Sequence, residues 1–297
     1  MSDATWIDPQ LFPHPACELA VSGGTMRYVD VGKGAPLVFV HGTPTWSFLY
    51  RRLIAAHADQ YRCVAPDNIG FGRSDKPVDW GYQFADHSRN LEQLINTLDL
   101  RDITLVVHDL GGPIGLRYAL DHPERIRGLL IMNTVLWPMV GEFAPPAVGR
   151  MLAGPIGRWL YLRANFSARI LLTQVYADRK KLTPQIHRHY RDAFATPDDR
   201  HGTFAFVQQI AAGTPALAEL WARREILQRI PTTLVWGMRD PAFGPKYLAR
   251  WREILPTAPV LEVADCGHFP QEEAPEQVSG ALRQLLARTA PAAVLPA

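Results

Sequence analysis

Ile103-Thr104-Leu105-Val106-Val107-His108-Asp109-Leu110-Gly111-Gly112-Pro113-Ile114-Gly115 is the stretch that decides the fold. Five residues, four of them β-branched, lead into an acid, and glycines follow before the spacing turns helical. A short apolar run bounded in this way suits a strand buried on both faces of a parallel sheet. The change of period takes only two or three residues, a jump that needs glycine because larger side chains would collide in so tight a turn. Asp109 sits at the bend. It reads either as the N-cap of the next helix, a favoured place for Asp, or as a side chain lifted over the sheet edge for chemistry.

Similar runs flank this one. Glu18 to Val31 alternates around the turn Ser22-Gly23-Gly24-Thr25, and Pro36-Val40, Arg62-Pro66 and Ile126-Met132 read as further strands. Helical spacing appears near Trp46, from Asp86 to Leu98, and after Asp109 to about Leu120. This alternation predicts an α/β fold, a mostly parallel central sheet with helices on both faces. It stops after residue 137. Residues 138–227 read as helices broken by Pro and Gly, and strands resume at Thr232-Trp236 and Pro259-Val263, with helices near 245–254 and 275–288. The expectation is one core, 1–137 with 228–297, interrupted by a helical cap at 138–227. Residues 1–16 read as an extended lead-in and the tail from Thr289 as loose.

Composition excludes several classes. With 31 Lys+Arg against 29 Asp+Glu the formal net charge is +2, which gives no case for nucleic acid. Cys17, Cys63 and Cys266 are too few and too scattered for a disulfide framework or a zinc site. No signal peptide is visible and no apolar run reaches membrane-spanning length. The expectation is a soluble cytoplasmic protein with a small apolar organic partner, no nucleic acid and no membrane, and without metal or organic cofactor.

Two further strand ends carry chemistry. Asp240 follows the Thr232-Trp236 strand and His268 follows the Pro259-Val263 strand. Open α/β sheets bind ligands beyond the carboxyl ends of their strands, so Asp109, Asp240 and His268 can converge there. An ionised carboxylate suits attack on an sp³ carbon bearing a leaving group and gives an enzyme-bound ester. His268 would then activate water against that ester while Asp240 holds the imidazole. Backbone N–H groups of Thr43 and Leu110 are the candidate oxyanion donors. His41, Trp137 and Tyr176 are candidates for the pocket wall.

The Asp109 turn resembles the nucleophile elbow of α/β-hydrolases, with Asp in place of the commoner Ser. His41-Gly42-Thr43-Pro44-Thr45-Trp46-Ser47-Phe48-Leu49-Tyr50-Arg51, Gly70 to Pro77, Leu100 to Gly112 and Asp265 to Glu272 resemble the corresponding stretches of haloalkane dehalogenases. The resemblance covers residues of about 20–137 and 230–288, and is weak in the cap. It implies a covalent aspartyl-ester hydrolase that turns haloalkane and water into alcohol and halide. Two positions depart from the pattern. The family places a halide-binding Trp directly after the nucleophile, where this chain has Leu110, and Thr43 stands where a second donor is common. Trp137, Trp159 and Tyr176 are possible replacements. The same nucleophile also serves epoxide hydrolases, in which cap tyrosines donate to the ring oxygen (Tyr161, Tyr176 and Tyr190 lie in the cap), and β-lactone-processing relatives. A non-catalytic ligand-binding protein on the same fold is the remaining alternative.

Overall fold

A computed structural model describes residues 5–139, 146–212 and 215–290. Residues 1–4 of the lead-in, and the expected loose tail beyond 290, lie outside the described residues. The strands are Cys17–Val21 (β1), Gly24–Val31 (β2), Pro36–Val40 (β3), Arg62–Asp67 (β4), Ile103–Asp109 (β5), Ile126–Thr134 (β6), Thr232–Gly237 (β7) and Val260–Val263 (β8). They form one sheet in the order β1-β2-β4-β3-β5-β6-β7-β8. The pairings β1–β2 and β2–β4 are antiparallel and the remainder parallel. Every residue of β5 and β7 is buried, as continuous apolar runs require, whereas the edge strand β1 alternates between exposed and half-buried positions.

Helices α1 (Arg51–His57), α2 (Phe84–Thr97) and α3 (Gly111–Asp121) belong to the first part of the core. Between β6 and β7 the described residues form helices: α4 (Pro146–Ala153), α5 (Pro155–Ala164), a π-turn Ser167–Leu171 running into α6 (Leu172–Gln174), α7 (Pro184–Asp192), α8 (His201–Ala212) and α9 (Pro215–Ala222). The core resumes with α10 (Pro245–Ile254), α11 (Pro270–Glu273) and α12 (Pro275–Thr289). No helix among the described residues is long and apolar enough to cross a membrane.

The helix expected near Trp46 opens instead as a 3₁₀ turn, Ser47–Tyr50, before α1. Its cause lies at the end of β4. The buried Asp67 carboxylate accepts from the Ser47 N–H at 2.8 Å, and its other oxygen accepts from the Arg73 N–H at 3.0 Å. A distant acid thus caps the turn. Gly72 is required beside it, because a Cβ there would come within 2.6 Å of both Asp67 Cγ and Trp46 Cβ. The Gly70-to-Pro77 stretch is in this way a brace that sets the loop after β3.

Two pairs of buried groups clamp the helical insertion onto the core. Arg51 and Glu272 form a buried ion pair, with Nη2 to Oε2 at 2.8 Å, and the Tyr190 hydroxyl on α7 donates to the same carboxylate. Glu273 accepts from Gly267 N–H at 2.9 Å with one oxygen and from Ala177 and Asp178 N–H at 3.0 and 2.9 Å with the other. The loop carrying residue 268 is therefore tied directly to the insertion.

Candidate active site

The chain passes from β5 to α3 through Asp109, whose φ of +51° lies in the left-handed region. Such a bend in a non-glycine residue costs free energy, on the order of 1–3 kcal/mol, and is held only where the surroundings enforce it. Here glycines let the backbone close in. A Cβ on Gly111 would meet the Val40 carbonyl oxygen at 2.3 Å, and one on Gly42 would meet Asp109 Oδ1 at 2.0 Å. The nucleophile candidate is thereby raised against the loop after β3, where the Thr43 N–H donates to Asp109 Oδ1 at 2.7 Å. Oδ2 faces His268, with Nε2 at 3.3 Å.

Asp240 lies behind the imidazole. His268 Nδ1 donates to Asp240 Oδ2 at 2.7 Å, and the Ala242 N–H donates to Oδ1 at 2.7 Å. The three residues that the sequence placed at separate strand ends thus meet in one buried chain. Burial alone would suppress the charge on His268, but the carboxylates of Asp240 and Asp109 outweigh it and hold its pKa up to about 10. Burial would likewise raise Asp240, yet the His268 cation and its hydrogen bonds keep that carboxyl below its ordinary value.

This coupling makes the ion pair a pH-dependent stabiliser. A pKa raised from 6.5 in the unfolded chain to about 10 in the folded one contributes fully below pH 6.5. The contribution drains away as the pH climbs through about 10. Thermal melts of the wild type and of His268→Gln should accordingly differ most near or below pH 6.5 and converge towards pH 10. A stability gap that does not change with pH would show that residue 268 carries no held charge.

Two residues missed in the sequence complete the geometry. Asn133, at the end of β6 with φ +27°, donates from Nδ2 to Asp240 Oδ2 at 2.8 Å and accepts from the Gly237 N–H at 2.8 Å. It fixes the acid against β7. His108 places Nε2 2.6 Å from the carbonyl oxygen of His268, a donor position that orients the loop from below. Complete burial pushes the His108 pKa down to about 3, so its ring stays neutral beside the charged one. Both stand next to strand-end residues, which is the signal that could have found them.

Asp109 and His268 open onto a cavity of about 90 Å³. Thr43, Leu110, Leu172, Val175, Phe243 and Phe269 give it a mainly apolar wall, and hydroxyl-bearing Tyr161, Ser167 and Thr203 face it from the insertion. The Thr43 hydroxyl is buried with no hydrogen-bond partner. Burial pushes the Tyr161 phenol up, so it stays protonated and can donate.

The three wall candidates read from sequence are corrected. His41 is fully buried in the loop itself, with Nδ1 2.8 Å from the Gly42 oxygen and Nε2 accepting from the Asn68 N–H at 2.9 Å. Both ring nitrogens are occupied in shaping the turn. Trp137 is buried among Trp221, Tyr247 and Trp251, with the Arg250 guanidinium 4.6 Å from its ring centroid. Its ring is packed among aromatic side chains away from the cavity. Tyr176 stands behind Phe269, ring centroids 5.2 Å apart, with its phenol pushed up by burial and by the nearby Glu272 charge. None of the three lines the cavity. Trp159, also considered as a donor, is 61% exposed on the outside of α5.

Comparison with known proteins agrees with this arrangement. Residues 35–275 match the family model described as alpha/beta hydrolase fold. The chain is 37% identical over 279 residues to "Haloalkane dehalogenase 2" of Mycobacterium tuberculosis (strain ATCC 25618 / H37Rv), covering 93% of this chain and 96% of the relative. It is 35% identical over 296 residues to "Cis-3-alkyl-4-alkyloxetan-2-one decarboxylase" of Shewanella oneidensis, covering 94% and 90%. Among solved structures, haloalkane dehalogenase DbeA from Bradyrhizobium elkani USDA94 superposes with a TM-score of 0.83 at 28% identity, covering 93% of this chain and 98% of that one.

Proposed function

Because the chain belongs to the α/β-hydrolase fold family, in the group that includes haloalkane dehalogenases, we propose that it is a hydrolase working through an ester on Asp109. The observation that carries this reading is the chain Asp109–His268–Asp240, with 3.3 and 2.7 Å between successive partners, at the floor of an apolar cavity.

The division of labour follows from the two oxygens of Asp109. Oδ1 is anchored by the Thr43 N–H, which leaves Oδ2 to attack the substrate carbon. Once that oxygen is alkylated the residue loses its charge, and one of the two carboxylates holding His268 protonated is gone. The imidazole can then give up its proton and take another from water at Nε2. As water adds to the ester carbon, the negative charge develops on Oδ1, where the Thr43 donor already points. The Leu110 N–H is the second donor in this proposal. Asp240 and Asn133 position the ring throughout, and residues 138–227 act as the cap that shapes the cavity. The free state of Cys17, Cys63 and Cys266 supports a cytoplasmic setting.

The substrate is a small apolar molecule carrying a leaving group on sp³ carbon, first of all a haloalkane. One observation favours a second reading. Among the described residues no indole lines the cavity, and Leu110 presents only hydrocarbon beside the nucleophile. The available donors are hydroxyls of Tyr161, Ser167 and Thr43, which suit an oxygen leaving group retained in an opened ring, as in an epoxide or β-lactone.

Parallel assays of halide release and of ring opening, on wild type and Leu110→Trp, separate the two. A hydrogen bond to a charged group is worth about 1.5–3 kcal/mol, or roughly ten- to a hundredfold in rate. On the dehalogenase reading, Leu110→Trp should raise halide release by about tenfold or more. No gain in halide release, together with fast ring opening by the wild type, would transfer the assignment to the oxygen leaving group.

A further inference from the structure

We infer that the outer face of α4 and α5 docks on an anionic lipid surface. Six large apolar side chains are exposed among the described residues; four of them, Val148, Met151, Ile156 and Trp159, lie on these two helices, and a fifth, Ile170, lies on the π-turn that follows. Trp159 and Ile156 are 61% and 58% exposed. On α5, Ile156, Trp159, Leu160 and Arg163 follow at i, i+3, i+4 and i+7, and so share one face. Gly157 and Tyr161 occupy the buried side, where Tyr161 lines the cavity. α4 packs beside α5 and adds Val148 and Met151.

The charge pattern selects the partner. Residues 143–177 contain four arginines, Arg150, Arg158, Arg163 and Arg169, and no acid. All four are exposed, and none closes an ion pair with a described residue. Asp198 and Asp199 lie on the turn whose Arg200 binds the carbonyls ending α5, and Asp199 is turned back onto Thr196. The net charge of +2 for the whole chain hides this local excess. A second copy seated on the face would bring like charges together, a costly arrangement. Tryptophan and aliphatic anchors interleaved with arginine are what an interfacial helix uses: the apolar groups enter the headgroup boundary while the guanidinium groups meet anionic lipid. Docking in this pose sets the cavity a single helix away from the lipid. It does not depend on which leaving group the site accepts.

The test is flotation of the purified full chain with vesicles of phosphatidylcholine alone and of phosphatidylcholine with phosphatidylglycerol. Binding to the anionic vesicles should be at least about tenfold tighter and should weaken with salt. The double variant Ile156→Ser, Trp159→Ser should lose about tenfold or more of that binding. Its turnover of a small dissolved substrate should be unchanged, which separates docking from catalysis. Equal partition onto both vesicles, or none onto either, overturns the inference. So does light scattering that shows a wild-type dimer dissociated by the double variant, since the patch would then be a contact between copies.

Discussion

Asp109→Asn protein should fold normally and lose turnover by about 10⁴-fold or more, the order seen when an essential member of a catalytic triad is removed. Asparagine keeps the shape and the acceptor that the Thr43 N–H needs, and it is among the non-glycine residues that best tolerate the φ of +51° at this bend. What it lacks is an anionic oxygen facing the substrate. With no charge at position 109, His268 sheds its Nε2 proton, so Nε2 can accept from the new amide while Nδ1 keeps its bond to Asp240, and no buried cation is stranded. Circular dichroism and melting should therefore remain close to wild type while product formation disappears. Intact-mass measurement on the assayed sample excludes deamidation back to Asp. Turnover at a wild-type rate by protein whose mass confirms the Asp109→Asn substitution would end the nucleophile assignment, and with it the covalent mechanism.

The parts of the molecule legible in sequence were those whose cause is local. β5 and β7 announce themselves because a strand buried on both faces must be apolar at nearly every position. The elbow is legible because only glycine fits against the Val40 carbonyl at position 111 and against the Asp109 carboxylate at position 42. Asp109, Asp240 and His268 stand out because the first closes a parallel strand and the other two follow parallel strands, all at the same sheet edge. The cavity wall is different. Tyr161, Ser167 and Thr203 reach it from an insertion that is held to the core by long-range clamps such as Glu273 to Ala177 and Tyr190 to Glu272. No local period shows which helix face will meet the nucleophile. His41, Trp137 and Tyr176 looked chemical because of residue type and neighbourhood, yet each side chain is occupied by packing or by shaping a loop. The role of Asn133, holding the acid that follows the neighbouring strand, is not legible locally because it is set by a contact across the sheet.

His268→Gln should convert the enzyme into one that reacts once. Esterification needs only the Asp109 carboxylate and the cavity, so the first step survives, whereas activation of water at Nε2 is lost. Loss of general base catalysis slows a step by about 10²–10⁴-fold, enough for the ester to accumulate in place of turning over. A single equivalent of substrate should be consumed, and its mass should appear on the peptide containing Asp109. That mass also identifies the leaving group without any assumption about donors. If halide departs, the adduct carries the alkyl group alone and the halogen is found in solution. If a ring oxygen leaves carbon, it stays tethered to the opened molecule, and the adduct carries the whole substrate. A variant that still turns over steadily, or one that consumes substrate with no adduct on Asp109, would mean that water is activated elsewhere and that no ester forms at this residue.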